Sequence, residues 1–361
     1  MNKAVWTIIG AGMGGKGLAA ELGIKGMRLR IHDIDDAQVA GIRALGGLKV
    51  EGRDASFAPI EMATTDLASA VTGADVLLVS IYGNAHAELA TQLAPILVDG
   101  QTIVLIQGHF AGALVFKAAL DRAGCKARVD VSEMDGYPYM LTVKSQDTVL
   151  MTTVKKHWNL AAMPASRTAA VLEKIAFAFP GLEAAKSLLE NAFLGGGGIF
   201  HVGGIITNVG NVEGPQSYNF YAANMVPSVC RLLERLDAER IAAAKAFGLD
   251  ALDLKTWLGK VYGYTNMTMH EALQKMAVTH YRFAPAPKSL THRYLVQDVG
   301  CELVPITAFG KVAGIPMPAS EAAIEMANSL TGRDFRAEGR NLANLGIEGM
   351  SAADIKKHVS A

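Results

Sequence analysis

Residues 5–33 read VWTIIGAGMGGKGLAAELGIKGMRLRIHD, and this segment is the most informative about the fold of the N-terminal half. An apolar run long enough for a buried strand ends in the pattern G-x-G-x-x-G. A helix-like segment follows, and a second apolar run ends in an acid. In a βαβ unit the three glycines allow a tight turn, a close backbone approach to a pyrophosphate, and close packing of the helix on the sheet. The stretch therefore predicts a dinucleotide-binding unit.

Each position of this pattern has an expected contact with the cofactor. Gly10 makes the turn, Gly12 faces the pyrophosphate and Gly15 lets the helix pack, while the N–H groups at the helix start bind the phosphates. Asp33 lies about 20 residues further on, where a carboxylate accepts a hydrogen bond from the adenosine ribose 2′-hydroxyl. Two further residues are expected at the cofactor: Met13 in the turn and Ile81 at the end of the predicted strand Val76–Ile81. The expected cofactor-binding residues are therefore Gly10, Gly12, Met13, Gly15, Asp33 and Ile81.

The same glycines nearly form a phosphate-binding P-loop, because Gly10, Gly15 and Lys16 have the spacing G-x-x-x-x-G-K. That motif requires a Ser or Thr next to ligate magnesium, and this chain has Gly17. The nucleotide triphosphatase interpretation therefore fails. Asp33 is followed by two further acids and not by an arginine that could receive a 2′-phosphate. Because three carboxylates would repel that phosphate, the sequence favours NAD over NADP.

Composition excludes several other classes of protein. The 361 residues suffice for two domains, and 34 Lys and Arg balance 34 Asp and Glu, so no basic surface indicates nucleic acid or an anionic membrane. The longest apolar stretch, Phe193–Val212, is interrupted by seven glycines, His201 and two asparagines, which excludes a membrane span. We expect a cytoplasmic protein, because no signal peptide precedes the first strand and no disulfide or metal-binding pattern connects Cys125, Cys230 and Cys301.

The order of predicted elements indicates two domains in an α/β architecture. Residues 1–183 predict a Rossmann-type, doubly wound parallel sheet that binds NAD, and residues 184–361 predict an all-helical substrate and catalytic domain. Two runs rich in β-branched residues, Met140–Val143 and Thr148–Val154, predict an antiparallel hairpin appended to the parallel sheet. The predicted parallel strands are Trp6–Ile9, Leu29–His32, Val76–Ile81, Ile103–Gln107 and Val129–Glu133.

The C-terminal half carries helical patterns. Val229–Phe247 has its apolar residues on one face with charges between them. A second helix is predicted at Glu321–Leu330, with Ser320 as its N-cap. Ser351, followed three residues later by Asp354, predicts a capping box at the start of a terminal helix.

A histidine is the expected acid in nicotinamide-dependent reduction of C=O or C=N, because imidazole exchanges protons near neutral pH and a nearby carboxylate orients it. His201 stands out because Gly195–Gly198 precede it and apolar residues surround it, and glycine lets another backbone or a ligand approach closely. The competing interpretation is a buried histidine satisfied by hydrogen bonds. His270-Glu271 resembles the start of a zinc-binding H-E-x-x-H motif, but Gln274 replaces the second histidine, so no metal is expected.

A second polar cluster extends from Lys288 to Asp298 and includes His292 and Arg293. It brings cations and a carboxylate into one short segment. The pattern fits a surface network of salt bridges as well as it fits a functional site.

The chain resembles the opine dehydrogenase family (octopine and nopaline dehydrogenases and N-(1-D-carboxyethyl)-L-norvaline dehydrogenase) nearly from end to end. Within it, Arg293–Pro305 is the most specific stretch. The segments that carry the resemblance are Gly10–Asp33, Gly108–Leu114, Glu133 with Pro138-Tyr139, Leu160–Pro164, Pro227–Val229, Asp237–Arg240, Arg293–Pro305 and Asp334–Arg340.

This resemblance implies a reductive condensation in which an amino acid or another amine and a 2-oxo acid form an imine and NADH supplies hydride. It implies that His201 and Asp298 match the acid–base pair of the family. It also implies that Arg293 binds a substrate carboxylate and that Glu133 lies at the amino-acid site. The implied partners are small molecules, and the sequence leaves a homodimer open.

Three departures from the family pattern fall around the expected cofactor and substrate pocket. Val202 follows His201 where the family usually has proline, and Thr142 stands where it often has arginine. The turn after the fourth strand reads Ile106-Gln107-Gly108 where the family normally has Asn-Pro-Gly. The identity of the substrates therefore stays open. One alternative is a related two-domain dehydrogenase that reduces a 2-oxo acid or another carbonyl without an amine, with Lys260 or Lys288 as the acid. Another alternative is a catalytically inactive protein that senses NAD.

Overall fold

The computed structural model describes residues 4–52, 55–154, 158–282 and 286–360. The chain divides into two compact units, one formed by Met1–Asn191 with His358–Ala361 and the other by Ala192–Lys357. In the described residues the first unit is an α/β structure built on a largely parallel sheet, and the second is helical. The predicted fold class is confirmed, while the predicted domain boundary between residues 183 and 184 stays a prediction.

The five predicted parallel strands are present, with ends shifted by one or two residues. The described strands are β1 (Val5–Ile9), β2 (Arg28–His32), β3 (Gly47–Gly52), β4 (Ser56–Pro59), β5 (Met62–Thr64), β6 (Val76–Val79), β7 (Thr102–Leu105), β8 (Asp130–Met134), β9 (Tyr139–Val143), β10 (Thr148–Val154), β11 (Trp158–Met163) and β12 (Leu182–Ala184).

Helices surround the sheet of the first unit and make up the second unit. A π-helical turn, Val299–Leu303, connects helix Arg293–Asp298 directly to helix Val304–Val312. The described helices are α1 (Met13–Ile24), α2 (Asp36–Leu45), α3 (Leu67–Val71), α4 (His86–Leu93), α5 (Gly112–Arg122), α6 (Thr168–Ile175), α7 (Leu188–Leu194), α8 (Gly197–Ile206), α9 (Val209–Val212), α10 (Phe220–Asn224), α11 (Pro227–Ala246), α12 (Leu254–Tyr262), α13 (Met269–Val278), α14 (Arg293–Asp298), α15 (Val304–Val312), α16 (Pro318–Thr331), α17 (Phe335–Glu338) and α18 (Ala352–Ser360).

The main sheet has the order β12-β11-β8-β7-β6-β1-β2-β5 among the described strands. Its pairs are parallel except for β11, which lies antiparallel to β8. β1 pairs with β2 on one side and with β6 on the other, so the strand order reverses at β1. In open α/β sheets, ligands bind outside the carboxyl ends of the strands at such a reversal. The glycine-rich turn begins at this point.

A second, smaller sheet corrects one prediction. The hairpin of β9 and β10 is antiparallel as predicted, but it is not appended to the parallel sheet. β10 instead pairs with β3, and β3 pairs with β4, in a separate sheet of order β4-β3-β10-β9. This sheet covers α1, because a Cβ atom on Gly17 would lie 2.5 Å from Leu141, and one on Gly23 would lie 2.8 Å from Ala58. The second sheet, which includes the hairpin, therefore packs on a side of α1 that the main sheet does not cover.

The second unit corrects the predicted start of α16. The helix begins at Pro318 with Met317 as N-cap, so Ser320 lies within the first turn and is not the cap. Glu239 of α11 takes the place of a local cap, because its carboxylate accepts the N–H groups of Ala319 and Ser320 and the hydroxyl of Ser320. Proline is suited to this first helical position, since its missing N–H needs no partner there.

Two other helix predictions in this half are confirmed. α11 spans the predicted amphipathic segment. The predicted capping box of α18 forms, because the Ser351 hydroxyl accepts the Asp354 N–H at 3.2 Å and the Asp354 carboxylate accepts the Ser351 N–H at 3.3 Å. Among the described residues, the helices are too short or too polar to cross a membrane.

Candidate functional site

The glycine-rich turn of the first unit has the geometry that its sequence predicts. Gly10 has φ +101°, a left-handed conformation suited to glycine, and a Cβ there would collide with the Ser80 carbonyl oxygen. A Cβ on Gly15 would collide with the carbonyl oxygen of Gly10, so this glycine lets α1 approach β1. Gly12 differs from both, because no described protein atom lies within 4 Å of the place where its Cβ would be.

Asp33 directly follows β2, and its side chain is hydrogen-bonded to the glycine-rich turn. One carboxylate oxygen accepts the N–H of Ala11 at 2.7 Å, and the other accepts the N–H of Asp35 at 3.0 Å. A carboxylate has about four lone-pair positions, so both oxygens retain capacity to accept a hydroxyl proton. The Asp33 side chain is therefore held beside the glycine turn, and its oxygens can accept further hydrogen bonds.

The remaining predicted cofactor residues also border this turn. Met13 begins α1 and is 58% exposed. Ile81 lies two residues beyond the end of β6, and its Cγ2 would be 2.8 Å from a Cβ on Gly10. The six predicted cofactor residues thus lie around or beside one turn at the carboxyl ends of β1, β2 and β6.

Tyr137 packs against this turn, a contact that the sequence did not predict. Its ring fills the space that a Cβ on Gly14 would occupy, and its hydroxyl lies 2.7 Å from the Ser80 hydroxyl. The ring therefore covers the start of α1 and is attached to the end of β6. Tyr137 directly precedes the Pro138-Tyr139 pair, which carries part of the family resemblance. Its place beside this pair is the one sequence feature that could have pointed to it.

In the second unit the structure brings together His201 of α8 and Asp298, the last residue of α14. Nδ1 of His201 lies 2.6 Å from Oδ2 of Asp298. The side chains are 15% and 3% exposed, respectively. Asp298 therefore does not belong to a surface salt-bridge network, the alternative interpretation of its segment.

The glycine run before His201 explains how these two helices meet. Gly198 is buried in the first turn of α8, and a Cβ there would collide with the carboxylate of Glu302 and lie 3.0 Å from Cβ of Asp298. The Glu302 carboxylate also accepts the Gly198 N–H at 2.9 Å. The π-helical turn carries Glu302 towards α8, and π-turns are frequent at functional sites. Gly198 is thus the glycine that lets the pair form.

Aromatic rings enclose the imidazole of His201. The ring of Tyr294 stacks on it, with centroids 3.6 Å apart and planes inclined by 7°. The Tyr221 hydroxyl lies 3.1 Å from Nε2 of His201, and Phe220 packs edge-on at 6.1 Å between centroids. Burial raises the pKa of Tyr221 well above its ordinary value, so its hydroxyl keeps its proton at neutral pH.

Arg293 precedes Tyr294 at the start of α14. Its guanidinium lies 4.9 Å from the centroid of the Tyr294 ring, a cation–π distance. Burial, followed by the charges of Arg293 and His201, lowers the pKa of the neighbouring His292. Arg293 is half-buried and shares one aromatic partner, Tyr294, with His201.

Glu133, the fourth predicted catalytic or substrate residue, lies in the first unit at the end of β8. It is fully buried. One oxygen accepts the N–H of Ala113 at the start of α5 at 2.7 Å, and the other accepts the amide of Asn191 at 3.3 Å. The structure therefore gives this carboxylate a position at a helix N-terminus, where negative charge is favourable.

Other candidates have structural partners. Nδ1 of His270 lies 2.7 Å from the Met225 carbonyl oxygen. Lys288, one of the alternative acids, donates to the Gln216 carbonyl oxygen at 2.7 Å. Val202 is buried within α8, which continues to Ile206, so the family's usual proline is replaced here by a residue inside a regular helix.

Comparison with known proteins finds relatives over the whole chain. The family described as NAD/NADP octopine/nopaline dehydrogenase, alpha-helical domain, matches residues 184–331. The opine dehydrogenase of Arthrobacter sp. (strain 1C) is 32% identical over 360 residues, which cover 99% of each chain. Octopine dehydrogenase with NADH and L-arginine has the same fold, with a TM-score of 0.77 and 18% identity over 98% of each chain. Yersinopine dehydrogenase bound to NADP+ has a TM-score of 0.74 and 13% identity over 99% of this chain and 98% of that one.

Proposed function

The chain belongs to the opine dehydrogenase family, and from this premise we propose that it joins an amino acid or another amine to a 2-oxo acid. It is an NAD(P)-dependent oxidoreductase that acts on CH–NH bonds. The observation that carries the finer proposal is the 2.6 Å contact between His201 and Asp298 in the second unit. That contact provides a buried imidazole whose charged form has a carboxylate partner.

The proposed reaction needs a group that gives and takes protons. The amine nitrogen adds to the carbonyl carbon of the oxo acid, the oxygen takes up a proton and leaves as water, and a protonated imine forms, so that hydride addition gives a neutral secondary amine. When bound, the nicotinamide supplies hydride to the imine carbon. His201 donates a proton to the departing oxygen, and Asp298 stabilises the imidazolium that carries this proton and orients the ring through Nδ1. Nε2 is then the nitrogen that exchanges the proton.

We assign the substrate carboxylate to Arg293. Its guanidinium has the planar fork that binds a carboxylate at two points, and the Tyr294 ring below it restricts its orientation. We assign Glu133 to the amino-acid site on the family resemblance. Its side chain accepts the N–H of Ala113, which supports a role in holding the start of α5 in place. Glu133→Gln tests this assignment, since it should raise the KM of the amine more than that of the oxo acid.

The residues of the glycine turn fit a dinucleotide. Gly12 leaves open the space that any other side chain would fill, Gly10 and Gly15 keep the turn close to α1, and Asp33 presents carboxylate oxygens beside it. Met13 and Ile81 border the same turn. We propose NAD as the preferred cofactor, because Asp33 is followed by two more acids that would repel a 2′-phosphate.

We also propose a reducing cellular compartment, the cytoplasm. Cys125, Cys230 and Cys301 all lie in described residues and are free thiols. Burial raises the pKa of Cys230 and of Cys301 to about 11, so both stay protonated and unreactive at neutral pH. Free, inert thiols are typical of proteins from reducing compartments.

The test of the proposed reaction is NADH oxidation with pyruvate alone and with pyruvate plus a panel of amino acids and simple amines. We expect oxidation that depends on both substrates and yields a secondary amine. Oxidation that proceeds equally without amine would identify a carbonyl reductase instead. Binding of NADH without turnover across the panel would favour a sensing protein.

A further inference from the structure

Tyr221 contacts His201 at the ring nitrogen that Asp298 does not bind. It is the second residue of α10, is 3% exposed, and places its hydroxyl oxygen 3.1 Å from Nε2. Asp298 binds Nδ1 at 2.6 Å. Both nitrogens of the imidazole therefore have a side-chain partner, and the two partners come from different helices.

The chemistry of the partners fixes the direction of both hydrogen bonds. A carboxylate only accepts, so Nδ1 of His201 carries a proton and donates it to Asp298. In the neutral ring Nε2 then has a lone pair, and the Tyr221 hydroxyl donates to it. The other oxygen of Asp298 accepts the amide of Gln297 at 3.2 Å, which is consistent with an acceptor role for the whole carboxylate.

The surrounding rings prevent rearrangement of this contact. Tyr294 stacks on His201, so the imidazole plane is fixed. The Tyr221 ring is fixed in turn by Phe220, edge-on at 5.3 Å, and by Tyr281 at 4.9 Å between centroids. The Tyr221 hydroxyl is thereby held towards one acceptor, Nε2 of His201.

Asp298 sets the tautomer of His201, and we propose that Tyr221 is a positioning residue that holds the other nitrogen, Nε2, in place for proton exchange. In the neutral ring the phenol donates to the lone pair of Nε2. Once Nε2 is protonated it no longer accepts from the phenol, and its N–H is available to the departing oxygen. The catalytic consequence rests on the proposed function, whereas the tautomer itself does not.

Nitrogen NMR of the imidazole tests the tautomer without any substrate. In the wild-type protein we expect the neutral His201 ring to show a protonated Nδ1 and an unprotonated Nε2 that accepts a hydrogen bond. Tyr221→Phe keeps the ring and removes only the hydroxyl, so the Nε2 resonance should move. Tyr281→Phe is the matched control, because Tyr281 packs on Tyr221 and bonds to Tyr262, and it should leave that resonance in place. A protonated Nε2 on the neutral ring, or an unmoved resonance in Tyr221→Phe, would overturn the proposal.

Kinetics test the consequence for the reaction. Removing one hydrogen bond that aligns the acid should lower the kcat of Tyr221→Phe about tenfold, with the KM of both substrates changed less than about twofold. His201→Ala separates the two proposals. If it retains turnover, the acid–base role of His201 fails, and the catalytic role of Tyr221 fails with it, while the tautomer seen by NMR is unaffected. If it abolishes turnover while Tyr221→Phe equals the wild type, only the role of Tyr221 is overturned.

Discussion

His201 depends on three side chains that lie far from it in the chain. Asp298 binds one nitrogen, Tyr221 the other, and Tyr294 covers the ring face. The sequence singled out His201 through its glycine-rich, apolar surroundings, and the family resemblance supplied Asp298. Neither the sequence pattern nor the resemblance indicated Tyr221. A tyrosine in a short helix has no local pattern that distinguishes a hydrogen-bond partner from a core residue.

Arg293→Lys tests the assignment of the substrate carboxylate. Lysine keeps the positive charge but loses the two-point contact, so the KM for the 2-oxo acid should rise about tenfold or more. The dissociation constant of NADH should not change. Arg235→Lys, at a largely exposed position in α11, is the control. An unchanged KM for the oxo acid in Arg293→Lys would remove Arg293 from the site.

Gly12→Ala separates a glycine required by the cofactor from a glycine required by the fold. Since no described protein atom lies near the added methyl group, the variant should unfold at the wild-type urea concentration. We expect its NADH affinity, measured by fluorescence titration, to fall at least about tenfold, which is about 1.4 kcal/mol. Gly15→Ala should instead destabilise the unit, because its methyl group collides with the Gly10 carbonyl oxygen. Full NADH affinity in Gly12→Ala would contradict the pyrophosphate assignment.

At the scale of elements, the approach of α8 to α14 creates the candidate site. Gly198 allows this approach, and the π-helical turn after α14 brings Glu302 against the start of α8. The sequence showed four glycines in a row but could not show which one is needed. That information depends on the partner helix, which lies about a hundred residues away.

Gly198→Ala should damage the site, and Gly197→Ala should not. The methyl group at residue 198 displaces Glu302 and Asp298, and overpacking of this kind costs about 1–3 kcal/mol of unfolding free energy. Nothing described lies within 4 Å of a Cβ on Gly197, where alanine should stabilise the helix by up to about 1 kcal/mol. Urea unfolding and turnover measure both effects. Equal behaviour of the two variants would show that Gly198 does not control the contact.

Local patterns predicted elements better than they predicted the partners of those elements. The strands of the main sheet and the hairpin follow from their apolar and β-branched residues. The hairpin's sheet was assigned wrongly because β3 begins and ends with glycine and pairs with a strand about a hundred residues away in the chain. The start of α16 was misplaced for a related reason, since its cap is Glu239 of another helix.

At the scale of the whole molecule, the second unit is organised around a buried ion pair. Arg240 is fully buried, donates to Asp237 at 2.8 Å and to the Leu252 carbonyl oxygen at 2.7 Å, and also bonds to the carbonyl oxygen of Phe193. Asp237 in turn accepts the Leu254 N–H at 2.7 Å. Burial raises the pKa of Asp237 despite the nearby cation. One pair thus connects α11 to the segments on either side of it.

Arg240→Ala should destabilise the protein by about 3–5 kcal/mol, because it leaves a buried carboxylate without its cation. Arg235→Ala removes an exposed partner of Glu239 from the same helix and should cost less than about 1 kcal/mol. Urea unfolding followed by circular dichroism compares the two. Equal losses would show that the buried pair does not stabilise the unit.

We propose that His201 and Asp298 of the second unit together carry out proton transfer in the reaction. The direct measurement is the kcat of Asp298→Asn, with Asp250→Asn as a control at an exposed acid. Asparagine keeps the shape of the side chain but cannot stabilise the imidazolium by charge. We predict a loss of about 10²–10⁴ in kcat with unchanged NADH affinity. A kcat equal to that of the wild type would show that the Asp298 carboxylate does not stabilise the imidazolium.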